Sequence, residues 1–123
     1  MKISQTMLLA GVFIFVLIIA VAVLSNAPGK YDDFAKCLSS KGAKMYGASW
    51  CPHCNDQKKM FGSSWKYMDY VECSTPDGTA QTQVCIDAGI KSYPTWEFKN
   101  GTRVNGVLTF EELGAKTGCP AGN

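Results

Sequence analysis

Residues 43–62 read AKMYGASWCPHCNDQKKMFG, and the fold turns on how this stretch divides. Its first part, Ala43 to Ser49, is a short strand candidate. Its last part, Pro52 to Phe61, reads as a helix, because proline is well tolerated at a helix's first position; Gly62 breaks or kinks it. Cys51 and Cys54 therefore stand where a strand hands over to a helix. There the unpaired N–H groups and the helix dipole favour negative charge, so Cys51 is placed to react as a thiolate. His53, when protonated, adds a second favourable charge. A thiolate is the attacking species in thiol–disulfide exchange and also a good leaving group, so a Cys51–Cys54 disulfide in this setting is oxidising. Cys54, one turn on and on the inner side, is the expected resolving thiol. Two other readings compete: an inert structural disulfide, and half of a zinc site. The spacing suits zinc, but a second such pair or paired histidines are missing from the sequence, so no metal site is expected.

Upstream, Tyr31 to Lys41 carries Phe34, Cys37 and Leu38 at helical spacing, with Asp32 and Asp33 suited to its first turn and Gly42 at its end. Downstream, Trp65 and Tyr67 can continue the central helix before a second strand, Tyr70 to Cys73. Ser74 to Gly78 is a turn by composition, and Gln81 to Ala88 a short helix closed by Gly89. Thr95 to Lys99 and Thr102 to Val107 flank Asn100-Gly101, a strong hairpin signal. Thr109 and Glu112 form a capping box that opens a helix from Phe110 to about Thr117. The order α-β-α-β-α-β-β-α joins one parallel βαβ unit to a hairpin. It predicts an α/β domain with a mixed sheet of about four strands and helices on both faces.

Ahead of this domain every residue from Met7 to Leu24 is apolar or glycine. As a helix the run rises about 27 Å, against a hydrocarbon core of about 30 Å. That length exceeds the apolar stretch of a cleaved signal peptide, and Pro28 should hinder cleavage after Ala27, so an uncleaved anchor is expected over a cleaved signal. Lys2 precedes the run, while Lys30 after it is offset by Asp32 and Asp33. The N-terminus is thus expected in the cytosol and the following domain outside it, in a periplasm or at the cell exterior. Residues 1–27 are read as transmembrane anchor and tether, and 31–119 as the soluble domain. The six cysteines, all after the apolar run, suit an oxidising compartment, whereas one histidine disfavours a Cys/His zinc module. With 12 Lys+Arg against 10 Asp+Glu and a net charge of +2, no basic stripe marks a nucleic-acid partner.

WCPHC, followed some way on by GIKSYPTWEFKNGT and a short C-terminal helix, resembles thioredoxin. More narrowly, KMYGASWCPHCNDQKKMFG, YVEC, QTQVCIDAGIKSYPTW and GVLTFEEL are similar to the thioredoxin-like domain fused to vitamin K epoxide reductase homologues in bacteria and plants. CPHC is also the tetrad of DsbA-type periplasmic oxidases. The resemblance covers about residues 34–118. It implies a thioredoxin-like fold with Cys51 as attacking thiol and Cys54 as its partner. It also implies a cis Pro94 facing them, with Trp50, Pro52, Tyr93 and Pro94 lining the substrate groove; an ordinary trans proline at a strand start is the other reading. By the same resemblance Cys73 and Cys85 form a structural disulfide. Cys37 and Cys119 depart from the family's pattern: they either pair with each other or leave one or both thiols free. Met45 is another departure, standing where thioredoxin has a buried aspartate. Glu97 is a replacement carboxylate or, more simply, a solvent-facing strand residue.

These readings lead to a membrane-anchored, extracytoplasmic thiol–disulfide oxidoreductase. No cofactor is expected beyond the Cys51–Cys54 disulfide itself, which exchanges with cysteines of exported proteins. The resemblance implies recharging by a vitamin K epoxide reductase-like, quinone-coupled membrane protein, here as a separate partner. The rivals are a reductase or isomerase fed by a membrane electron carrier, and a non-catalytic module that binds extended peptides beside Pro94.

Overall fold

The computed structural model of the protein describes residues 4–122; Lys2, on which the expected orientation leans, lies outside them. The apolar run forms helix α1, Gln5–Ser25, and none of it is buried. It is apolar on every side and about 31 Å long, so it is long and apolar enough to cross a membrane.

The soluble part runs α2 (Asp32–Ser40), β1 (Lys44–Gly47), α3 (Pro52–Phe61), a 3-10 segment (Gly62–Tyr67) and β2 (Asp69–Glu72). It then continues through α4 (Gln83–Asp87), β3 (Thr95–Glu97), β4 (Arg103–Asn105) and α5 (Phe110–Thr117). The sheet order is β2-β1-β3-β4. β1 pairs parallel with β2 and antiparallel with β3, and β3 pairs antiparallel with β4. Met45 and Trp96 face one side of the sheet, where they pack with Phe34 and Leu38 of α2, Cys54 and Phe61 of α3, and Leu113 of α5. Tyr46 faces the other side and packs with Cys73, Ile90 and Cys85 of α4. With helices on both faces of a four-stranded mixed sheet, this is the thioredoxin-like fold.

Local chemistry explains where the observed elements differ from the expected ones. Trp65 and Tyr67 lie in the 3-10 segment, not in a continued α3, because Gly62 takes φ +55° and ends that helix. Helix α4 starts at Gln83, later than expected. Gln81 is held outside it by a bridge to Ser74 and by its side-chain amide, which donates to the Ile90 carbonyl and the Tyr93 hydroxyl. The β3–β4 hairpin forms, yet not through a two-residue turn at Asn100-Gly101. Gly101 N–H donates to the Phe98 carbonyl and Phe98 N–H to the Thr102 carbonyl, so the loop is Lys99-Asn100-Gly101. Of these residues only Gly101 has positive φ, the pattern of a three-residue loop closed by a glycine bulge. The capping box of α5 is present in both directions: Thr109 Oγ1 accepts from Glu112 N–H, and Glu112 Oε2 accepts from Thr109 N–H.

Candidate active site

Residues 48–51 leave β1 and turn directly into α3. Cys51 is the N-cap of that helix and Pro52 its first residue, where a missing N–H costs nothing. The Cys51 sulfur accepts a hydrogen bond from Cys54 N–H at 3.3 Å, so one unpaired donor of the helix end points at it. Both thiols are free, Cys51 only 4% exposed and Cys54 wholly buried. Burial pushes the Cys54 thiol up to about 12. Its hydrogen bond with Cys51 acts in the same direction, while a backbone bond to Ala48 and the Lys58 charge act against it. His53 is exposed at the second position of α3.

The Tyr93–Pro94 peptide bond is cis and Pro94 is fully buried. The Tyr93 carbonyl lies 3.7 Å from the Cys51 sulfur, which brings the segment before β3 against the CPHC turn. Trp50 is 58% exposed and meets the Tyr93 ring edge-on at 5.9 Å. Its indole N–H donates to Ser74 Oγ. The Tyr93 carbonyl thus meets the Cys51 sulfur, with Trp50 packed on the Tyr93 ring, Pro94 next in the chain and Pro52 exposed at the start of α3.

The remaining cysteines are bonded: Cys73 to Cys85, and Cys37 to Cys119, with Cα–Cα distances of 5.5 and 5.9 Å. The first bond ties the end of β2 to α4 and the second ties α2 to the segment after α5. Among the described residues no cluster of three or more metal-ligating side chains occurs.

Met45 is fully buried on the cysteine side of the sheet. Glu97 sits on the opposite side, one residue from Trp96. Its carboxylate is engaged by Arg103, at 2.6 and 2.7 Å, and it lies 3.5 Å from the Tyr46 hydroxyl. Glu97 is therefore not a carboxylate for the thiols.

Three residues on the elements that carry or flank the thiols have no role at the site in the sequence alone. Glu72, at the end of β2, accepts from the Tyr70 hydroxyl at 2.8 Å and from the backbone N–H groups of Ser49 and Ser74 at 3.0 and 2.9 Å. Burial raises the Tyr70 hydroxyl above its usual range, with the Glu72 hydrogen bond adding to it. Gln57, buried on α3, accepts from Trp96 Nε1 and Leu108 N–H and donates to the Leu108 carbonyl. Spacing held the signals: Tyr70 and Glu72 share one face of a strand, and Gln57 falls one turn after Cys54 on the inner face of α3. Their partners come from other elements, which spacing does not identify.

No family model matches the chain. The thiol-disulfide oxidoreductase LTO1 of Arabidopsis thaliana is 47% identical over 89 residues, covering 68% of this chain and 23% of that protein. The chain thus spans about a quarter of the length of the relative it matches. A free cysteine pair at the junction of β1 and α3 in a thioredoxin-like domain is therefore found in a chain similar, over that part, to a plant thiol-disulfide oxidoreductase.

Proposed function

We propose that this protein is a membrane-anchored thiol–disulfide oxidoreductase that passes its Cys51–Cys54 disulfide to cysteines of exported proteins. The observation that carries the reading is Cys51 at the cap of α3, a backbone N–H aimed at its sulfur and Cys54 buried behind it. A substrate thiolate attacks Cys51, the Cys51–Cys54 bond breaks, and its electron pair goes to Cys54, which takes a proton. A second substrate thiolate then attacks the substrate sulfur of the mixed disulfide. This forms the substrate's disulfide and releases Cys51 as thiolate. Trp50, Tyr93 and Pro94 form the wall along which an extended substrate lies. His53, exposed beside the pair, supplies positive charge when protonated. Recharging of the dithiol falls to a vitamin K epoxide reductase-like, quinone-coupled membrane protein, and α1 holds the site beside that partner. The domain faces the extracytoplasmic side.

The similarity to a thiol-disulfide oxidoreductase supports the chemistry. Its direction is tested by the reduction potential of the Cys51–Cys54 pair in glutathione buffers. The oxidase reading expects a value well above thioredoxin's about −270 mV, and a value near or below that figure overturns it. Cys54→Ala is expected to trap substrates on Cys51 as mixed disulfides in membranes. Their absence, with function retained in Cys51→Ser, would point instead to a peptide-binding module.

A further inference from the structure

An exchange reaction at a buried thiol needs a path for its proton, and on β1 the residue available for that, Met45, carries none. Gly47, two residues on, shows what stands there instead. A Cβ placed on Gly47 would lie 3.0 Å from the Cys54 sulfur and 3.2 Å from the Tyr70 hydroxyl, so the two atoms are less than about 6.2 Å apart. The two groups share no direct hydrogen bond, and a gap of this size is one that a single water bridges. The Tyr70 hydroxyl donates to Glu72 Oε2, and the other oxygen of Glu72 is held by two backbone N–H groups. Glu72 reaches the edge of the active-site turn at Ser49, so the line Cys54–Tyr70–Glu72 runs from the buried sulfur outward.

We propose that Tyr70 and Glu72 form the proton path of Cys54, the tyrosine hydroxyl relaying between the thiol and the carboxylate. This rests on the oxidoreductase reading above and deepens it. In the resolving direction the Cys54 S–H proton passes through a bridging water to the Tyr70 oxygen while the hydroxyl's own proton passes to the Glu72 carboxylate. The freed electron pair on Cys54 attacks the Cys51 sulfur, the Cys54–Cys51 bond forms, and the bond from Cys51 to the substrate sulfur breaks. The substrate leaves as thiolate, and Glu72 returns its proton to solvent. In the oxidising direction Cys54 is the leaving group and takes its proton back along the same line. The titratable and charged groups that face Cys54 are Cys51 and Lys58 from the start and middle of α3 and Tyr70 from β2, while Glu72, paired with Gly47 in the sheet, stands behind the Tyr70 hydroxyl. β1 and β3 present Met45, Gly47 and Trp96 to it. Lys58 Nζ lies 3.9 Å from the centroid of the Tyr70 ring, which keeps a cation beside the path.

The test follows the full chain in detergent, reduced and mixed with dithionitrobenzoate. The first thionitrobenzoate released reports attack by Cys51, and the second reports attack by Cys54 on the mixed disulfide. In Tyr70→Phe and Glu72→Gln the second release is expected to slow by about a hundredfold or more near neutral pH, the scale of a lost acid–base relay. The difference from the native chain should disappear in alkali, where hydroxide takes the proton unaided, and Glu72→Asp should restore part of the rate. An unchanged second phase, or a slowing equal at every pH, overturns the relay. If the native chain itself releases no second equivalent, the exchange reading fails and not the relay alone.

Discussion

At the scale of single residues, the site depends on what Gly47 lacks. Its position on β1 is where the Cys54 sulfur and the Tyr70 ring come closest to the backbone, each at 3.0 Å from the place a Cβ would take. Carbon against sulfur is comfortable only at larger separations, so Gly47→Ala must push Cys54 or Tyr70 aside. The expected cost is about 1–3 kcal/mol of stability, the range for overpacking a tight interior, read by denaturant unfolding. A slower second thionitrobenzoate phase should accompany it, with the first phase little changed. Cys54 gives a further residue-scale expectation, in pH. Its thiol is raised in the fold, from an ordinary 9.0 to about 12. A raised value means that the folded state holds the proton more tightly than the unfolded state. The stabilisation is therefore complete below 9.0 and is lost as pH climbs toward 12. In a Cys51→Ser background the denaturation midpoint should fall across that interval, and replacing Cys54 by Ser as well should remove this part of the slope.

At the scale of elements, α3 is held to the rest of the domain through Gln57. Its amide satisfies three groups at once: the Trp96 indole, and both backbone groups of Leu108. Replacing it by an apolar side chain of similar size strands them in the interior, since each unsatisfied buried group costs about 1–3 kcal/mol. Gln57→Leu is expected to lose about 3 kcal/mol or more in chemical denaturation, although it adds apolar surface. Little change would mean that solvent reaches these groups. The α5 cap is a milder case, where Thr109→Ala should cost about 1 kcal/mol. These elements were unequally legible in sequence. α3 and α5 carry their own punctuation, Pro52 and Gly62 in one case and the Thr109–Glu112 box in the other, so both were expected with the bounds observed. The hairpin turn was not, because Asn-Gly is compatible with more than one loop and the pairing of Phe98 with Thr102 chooses among them.

At the scale of the whole molecule, two disulfides tie segments of different separation. Cys73–Cys85 spans 12 positions, whereas Cys37–Cys119 spans 82 and joins the first helix of the domain to its end. The entropy removed from the unfolded chain grows with the loop closed. Replacing Cys37 and Cys119 by Ala is therefore expected to cost about 4–5 kcal/mol, and the shorter pair about 3 kcal/mol. Unfolding of the two double variants side by side checks the order. The shorter bond lies next to Ser74 and Glu72, so its removal is also expected to disturb the indole bond of Trp50, seen as a change in tryptophan fluorescence.

The division of labour follows from what is local. Sequence by itself determined the apolar helix, the strand-to-helix turn carrying Cys51 and Cys54, and the alternation of elements that builds a mixed four-stranded sheet. Periodicity, caps and glycines act within a few residues of where they are written. Tertiary structure alone decided that Glu97 belongs to Arg103 on the far face of the sheet and that Cys37 meets Cys119. It also decided that Tyr70 stands near the buried thiol with Glu72 on its hydroxyl. Those outcomes depend on strand register and on which face each residue presents, and both are settled only when the sheet and its helices pack together.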